Sequence, residues 1–347
     1  MARGIAGGAR RVVPRRPASA GGARGVVPPW LAQRPWRTFL AALAASGLVL
    51  AGAAAAVVPG QPTAFRLLSA QGSHRAVHAP RAAAASCNPD ASSLAPSGPP
   101  QVTSGSFMAK IRARGYLIAG VDQSTYHFGF LSPLSGQIEG FDIDMIQAVA
   151  KAIFGAPGHV RFKAISDAQR IPDVTSGAVD IVAHTMTITC DRLQQVDFSS
   201  VYFEAHQRVL VLKNSTATSL ADLHGQKVCA TTGSDSIARI QAVRAIPVPV
   251  TYWTDCLVQL QQGDVAAIST DDSILDGLAA QDPWTKVIGP NITNEPYGLA
   301  ISKQHPDFVR FVNAVLQQLR TDGQWAVSYT NWVGTPAAKP PVAQYGG

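Results

Sequence analysis

From Met108 onward, apolar positions along the chain switch between two spacings. In YLIAGV (116–121), VRFKAI (160–165), VDIVAH (179–184), VLVL (209–212), KVCA (227–230) and DVAAIST (264–270) they run nearly unbroken over a few residues, which predicts short, well-buried strands. Between these lie segments with helical spacing. In FDIDMIQAVAKAIF (141–154), Phe141, Met145, Val149 and Ile153 recur at four-residue intervals and form one stripe. AQRIPDVTSG predicts a short helix ending at Gly177, and SLADLHG, SDSIARIQAVRA, CLVQLQQG and DSILDGLAA predict further helices. VPVTYW precedes CLVQLQQG, and KVIG and YGLAIS lead to a C-terminal pair, PDFVRFVNAVLQQLR and DGQWAVSYTNWVG. Strands alternating with helices argue an α/β architecture with mainly parallel sheets. Ligands in such sheets sit beyond the carboxyl ends of strands.

The first part of the chain follows other rules. Residues 1–86 hold eleven arginines, no lysine and no acidic residue. The whole chain has 29 basic and 22 acidic side chains, so the remainder carries 29 − 11 = 18 against 22, or −4 rather than +7. A basic patch for nucleic acid is therefore not expected. Residues 1–37 form a basic N-terminal region, and 38–58, TFLAALAASGLVLAGAAAAVV, an uncharged apolar run. That order fits an export signal, and the run is also long enough for an uncleaved membrane anchor. Either places the folded part outside the cytoplasm. Residues 59–107, rich in Pro, Ala and Ser, read as a linker.

The four cysteines, Cys87, Cys190, Cys229 and Cys256, suggest two disulfides in an exported chain. AAAASC before Cys87 has some look of a lipid-attachment site, but the apolar run lies about thirty residues upstream and Arg81 interrupts the approach, so a disulfide is favoured. No His/Cys spacing suits zinc, and no metal or cofactor is expected.

The candidate chemistry lies where strands give way to helices. In TMTITCDR (185–192), strand geometry puts Thr185, Thr187 and Thr189 on one face. Arg192 follows, with a planar two-pronged donor that matches a carboxylate. A plainer reading makes Thr189 only an N-cap and Arg192 a surface ion pair. STDDS (269–273) brings two adjacent carboxylates to a strand end. They could bind metal, act as acid and base, take an ammonium group, or cap a helix at Asp271. TTGSDS (231–236) carries Thr231 and Ser234 around Gly233, whose small size lets a ligand approach the backbone. It is not a phosphate loop, since GxxxxGK[ST] is absent. Arg170 could meet a second acidic group or face solvent. Asp122 and the aromatics Tyr126 and Phe128 sit on the first strand–helix loop, where the aromatics could form a pocket wall or pack in the core.

GYLIAGVD, GFDIDM, RIPDVTSGAVDIVAHTMTITCDR, VDFS, DLHGQKVCATTGS, STDDSIL, PYGLAIS and DGQWAVSYTNWVG occur in an order that resembles bacterial family-3 solute-binding proteins for polar amino acids, most of all the glutamine/glutamate-binding proteins of actinobacteria. The resemblance spans about 108–335. It implies a periplasmic-binding-protein-like type II fold, with lobe 1 at 108–208 plus 297–335, lobe 2 with the hinge strands at 209–296, and a tail at 336–347. It further implies that Arg192 binds the ligand α-carboxylate, that Thr185 and Thr187 add hydroxyl and backbone contacts, and that Asp271 takes the α-amine. Asp122 would lie on the ligand-facing loop. Arg170 matches an arginine that meets a side-chain carboxylate in relatives that prefer acidic ligands, which favours glutamate or aspartate over glutamine. Two departures touch ligand identity: Asp167 and Ala168 stand where some glutamine binders place an aromatic residue, and Thr231 where several relatives carry lysine. The resemblance also implies a Cys229–Cys256 disulfide and, with it, Cys87–Cys190. The implied role is delivery of a free amino acid to ABC permease subunits. A sensor acting through a membrane partner is the alternative and an enzyme on the same fold a remote one, since no nucleophile constellation is present.

Overall fold

The computed structural model describes residues 87–346. The basic region, the apolar run and most of the linker lie outside the described residues. Within them, no helix is long and apolar enough to cross a membrane.

Two sheets with separate cores carry the chain. The first orders its strands Val160–Ala164, Leu117–Val121, Ile181–Ala183, Ala300–Ile301 and Asp197–Phe198, the first three of them parallel. Phe141, Met145, Val149 and Ile153, the stripe on helix Phe141–Phe154, are all essentially unexposed against this sheet. Helices Pro306–Thr321 and Gln324–Trp332 complete the same core with Phe308, Val312 and Trp325. A smaller cluster around Ile165, Val182, Met186 and Ile188 forms a second core of this lobe.

The second sheet runs Ile246–Val250, Lys227–Thr231, Ala267–Asp271, Phe203–Leu212 and Thr285–Ile288. Its first three strands are again parallel. Its core gathers Leu210, Val228, Trp253, Leu257, Ile268 and Leu275. The inner strands of both sheets, such as Leu117–Val121 and Ile181–Ala183, read as short apolar runs because both of their faces are covered, whereas the outer strands Val160–Ala164 and Ile246–Val250 are largely exposed or half-buried.

Strand Phe203–Leu212 belongs to both halves. Its beginning pairs with Asn294–Tyr297, from Phe203 opposite Tyr297 to His206 opposite Asn294. Its end pairs with Ala267–Asp271 and Thr285–Ile288 in the second sheet. The two lobes are thus joined by two antiparallel crossing segments. The Cys229–Cys256 disulfide (Cα–Cα 5.5 Å) ties a strand of the second sheet to helix Trp253–Gln262, and Cys87–Cys190 (5.9 Å) ties the start of the described chain to helix Cys190–Leu193.

Part of the segment read as linker is docked on lobe 1. Asn313, fully buried, donates its amide N–H to Ser93 Oγ (2.7 Å) and Leu94 O (2.6 Å), while its Oδ1 accepts from Ser200 N (2.7 Å). A buried amide must satisfy both its ends, and here residues 93 and 94 supply the acceptors. The tail returns to the same place, where Gly346 N donates to Ser93 O (3.0 Å).

Candidate functional site

The threonine row is not a strand. Regular pairing stops at Ala183, and Thr185 takes a left-handed backbone conformation (φ 40°) that a β-branched residue rarely adopts. Asp142 holds it there, accepting from Thr185 N (2.8 Å) and from the Tyr202 hydroxyl (2.6 Å). Burial raises the Asp142 carboxyl to about 6. The alternation of faces nevertheless survives. Met186 and Ile188 enter the core, while Thr185 and Thr187 turn to a cleft between the lobes. The Thr185 hydroxyl is buried without a hydrogen-bond partner in the protein. Thr189 does N-cap the short helix Cys190–Leu193, accepting from Arg192 N (3.3 Å).

Arg192 is not a surface residue. It is 8% exposed and donates to Thr187 O (2.6 Å) and, across the cleft, to Gly233 O (3.3 Å). Asp235 Oδ1 lies 3.5 Å from its Nη2. Burial, helped by the nearby Arg170 charge, pushes this guanidinium below its ordinary range. Arg170 is equally buried and reaches the same Gly233 carbonyl (3.2 Å). It also pairs with Asp167 Oδ1 (2.9 Å) and donates to His184 O (3.1 Å). Burial alone would raise Asp167, but Arg170, His184 and the Thr231 hydroxyl together hold it below the usual carboxylate range. Arg170 and Asp167 therefore form a buried ion pair that lines the cleft.

Lobe 2 contributes Ser234, Asp235, Ser236, Trp253, Thr270, Asp271 and Ile274. Asp271 ends strand Ala267–Asp271, is 5% exposed, and accepts from the Tyr297 hydroxyl (2.6 Å). Burial first, then the neighbouring charges of Glu295 and Asp235, raise its carboxyl well above the usual value. Glu295, on the crossing segment, is raised to about 7 by burial and by Asp235. This wall is thus an acid cluster that an incoming ammonium group would relieve, while two guanidinium groups reach the cleft from lobe 1.

Two glycines set how closely the lobes meet. A Cβ on Gly233 (φ 93°) would stand 2.8 Å from the Ala168 backbone, and one on Gly277 would stand 2.6 Å from Tyr126 O. Both are contacts that real side chains do not make, so glycine is required at these points.

The structure brings Arg170, Thr185, Thr187, Arg192, Ser234 and Asp271 to one cleft. Thr231 lies just behind it, with its hydroxyl bonded to Asp167 across the lobes. Asp122 does not line it. Its carboxylate is consumed locally by Gln123 N (2.6 Å), Ser124 N (2.9 Å) and the hydroxyls of Ser124 and Thr125, an arrangement that braces its own turn. Tyr126 is 37% exposed and stacks edge-on with Phe130 (ring centroids 4.8 Å), and its carbonyl faces Gly277 of lobe 2. Asp235 and Trp253 were not singled out from the sequence. Asp235 precedes helix Ser236–Ala242 as its N-cap residue, and Trp253 falls in the segment VPVTYW placed ahead of its helix, whereas the helix starts at Trp253 itself. Among the described residues, no group of His, Cys, Asp or Glu is placed to hold a metal.

Comparison with known proteins finds relatives of one kind. The chain is 37% identical over 229 residues to the ABC transporter glutamine-binding protein GlnH of Bacillus subtilis, covering 65% of this chain and 84% of that one. It is 36% identical over 206 residues to the glutamine-binding protein of Geobacillus stearothermophilus, covering 58% and 79%. Among solved structures, an ancestral arginine-binding protein bound to glutamine superposes with a TM-score of 0.60 at 34% identity, covering 64% of this chain and 99% of that one. The profile of one family matches residues 117–335, which include every cleft residue named above. That match spans more than half of the sequence, and the chain belongs to the bacterial extracellular solute-binding proteins, family 3.

Proposed function

We propose that this protein is the extracytoplasmic substrate-binding component of an ABC importer for a free polar amino acid, with glutamine bound ahead of glutamate or aspartate. The observation that carries the reading is the convergence of Arg192 from lobe 1 and Asp271 from lobe 2 on one buried cleft. In this reading Arg192 receives the α-carboxylate, with the Thr185 and Thr187 hydroxyls beside it, and Asp271 and the acid cluster receive the α-ammonium. A hydrogen bond to a charged group contributes about 1.5–3 kcal/mol, and micromolar affinity needs about 8 kcal/mol. Three or four such contacts suffice, and no covalent step is needed. The two crossing segments, Phe203–His206 and Asn294–Tyr297, act as the hinge that opens and closes the lobes.

The preference for an amide follows from the Arg170–Asp167 pair. Arg170 matches the arginine of acid-binding relatives, but here its charge is already neutralised at 2.9 Å. A ligand carboxylate arriving there would have to compete with Asp167, whereas a neutral amide would not. The names of the Bacillus and Geobacillus relatives point the same way. The basic segment and apolar run at 1–58 fit export or anchoring at the membrane. Calorimetric titration with glutamine, glutamate, aspartate, arginine and histidine tests the reading. The expected result is glutamine tightest, by about tenfold or more over glutamate. Tighter glutamate overturns the preference, and no heat with any of the five overturns the function.

A further inference from the structure

Trp253 is the first residue of helix Trp253–Gln262, is 2% exposed, and lines the cleft together with Arg170, Arg192, Ser234 and Asp271. Its indole Nε1–H is buried and has no hydrogen-bond partner in the protein. Buried Trp N–H groups ordinarily find a partner, and phenylalanine would fill much of the same space without leaving a donor stranded. On the same wall, the Ser234 hydroxyl is also buried and unpartnered. Backbone around the ring is fixed one helical turn further on, where Cys256 is joined to Cys229 of strand Lys227–Thr231. A donor held this firmly in a ligand cleft needs an acceptor from the ligand.

We propose that Trp253 reads the far end of the ligand: its indole N–H donates to a carbonyl or carboxylate oxygen of the side chain, with Ser234 beside it, so that the cleft takes acceptor-bearing side chains and disfavours guanidinium and ammonium ones. The inference rests on the amino-acid reading above and adds the residue that sets specificity. An indole N–H donates and never accepts, so it has nothing to offer arginine, although a related fold named for arginine also holds glutamine.

Calorimetry of the wild type and Trp253→Phe with glutamine, arginine and methionine tests it, methionine being close to glutamine in shape but lacking the carbonyl. The expected result is a loss of about tenfold in glutamine affinity in the variant, methionine affinity within about twofold of wild type, and a smaller glutamine-over-arginine ratio. A parallel fall for glutamine and methionine marks a packing role and overturns the proposal, as does unchanged selectivity. If Trp253→Phe does not fold, the wild-type indole N–H resonance replaces it. A shift with glutamine that methionine does not produce supports the contact, and equal shifts with both overturn it. Absence of any amino-acid binding by the wild type removes the parent reading and is seen before the variant is made.

Discussion

Arg192 follows the threonine row with nothing in its immediate neighbours to show that it is buried. Its burial comes from the turn at Thr185–Thr189, which folds the guanidinium back onto Thr187 O and towards Gly233 O of the other lobe. A guanidinium has five donors, and its unmatched capacity inside a buried cleft is what a carboxylate would fill. Arg192→Ala is expected to lower ligand affinity about hundredfold, since a charge-assisted pair is lost and Asp235 is left without its partner. Titration of the variant checks this, and affinity within about threefold of wild type contradicts the assignment. At this scale the sequence showed residue types but not environments. Asp122 and Asp235 are both aspartates near the start of a local structure, yet one is saturated by its own turn and the other faces Arg192. Only the packed chain separates them.

Among elements, the strands and long helices were legible because each buries a continuous apolar run or stripe, as Leu117–Val121 and Phe141–Phe154 do. TMTIT was not legible as a turn. Its alternation is real, but Asp142 captures the Thr185 amide, and the strand ends at Ala183 instead of running on through Thr189. That contact spans 43 positions, beyond the reach of any local pattern. Helix Asp272–Gln281 carries a second long-range constraint at Gly277, buried in its interior beneath Tyr126 O. Alanine at a helix interior is favoured over glycine by about 1 kcal/mol, but a Cβ here collides with the other lobe at 2.6 Å. Gly277→Ala is therefore expected to raise the melting temperature of the unliganded protein by about 2–4 °C while weakening ligand binding about tenfold, because the lobes no longer close. Scanning calorimetry with titration measures both. A variant that binds as tightly as wild type contradicts the role given to this contact.

Across the whole molecule, the α/β class followed from alternating spacings alone, whereas a first lobe built from two stretches of chain was an expectation of the family resemblance. Nothing local says that Phe203–Leu212 serves two sheets. Burial of carboxylates is likewise a property of the assembled lobes, and it gives stability a definite pH dependence. Asp142, raised to about 6, and Glu295, raised to about 7, bind protons more tightly folded than unfolded. Their contribution is fully present below the ordinary carboxylate range near 4 and is lost as pH climbs through 6 to 7. Asp167, held low, acts oppositely and only at more acid pH. The unliganded protein is expected to melt higher at pH 5 than at pH 7.5, and Asp142→Asn to reduce the difference. A higher melting temperature at pH 7.5 contradicts the burial argument. The most direct test of the two-ended grip is a crystal structure grown with glutamine. It should show the α-carboxylate on the Arg192 guanidinium and the α-ammonium within hydrogen-bonding distance of Asp271. Glutamine seated elsewhere, with Arg192 and Asp271 turned to bulk water, would contradict it.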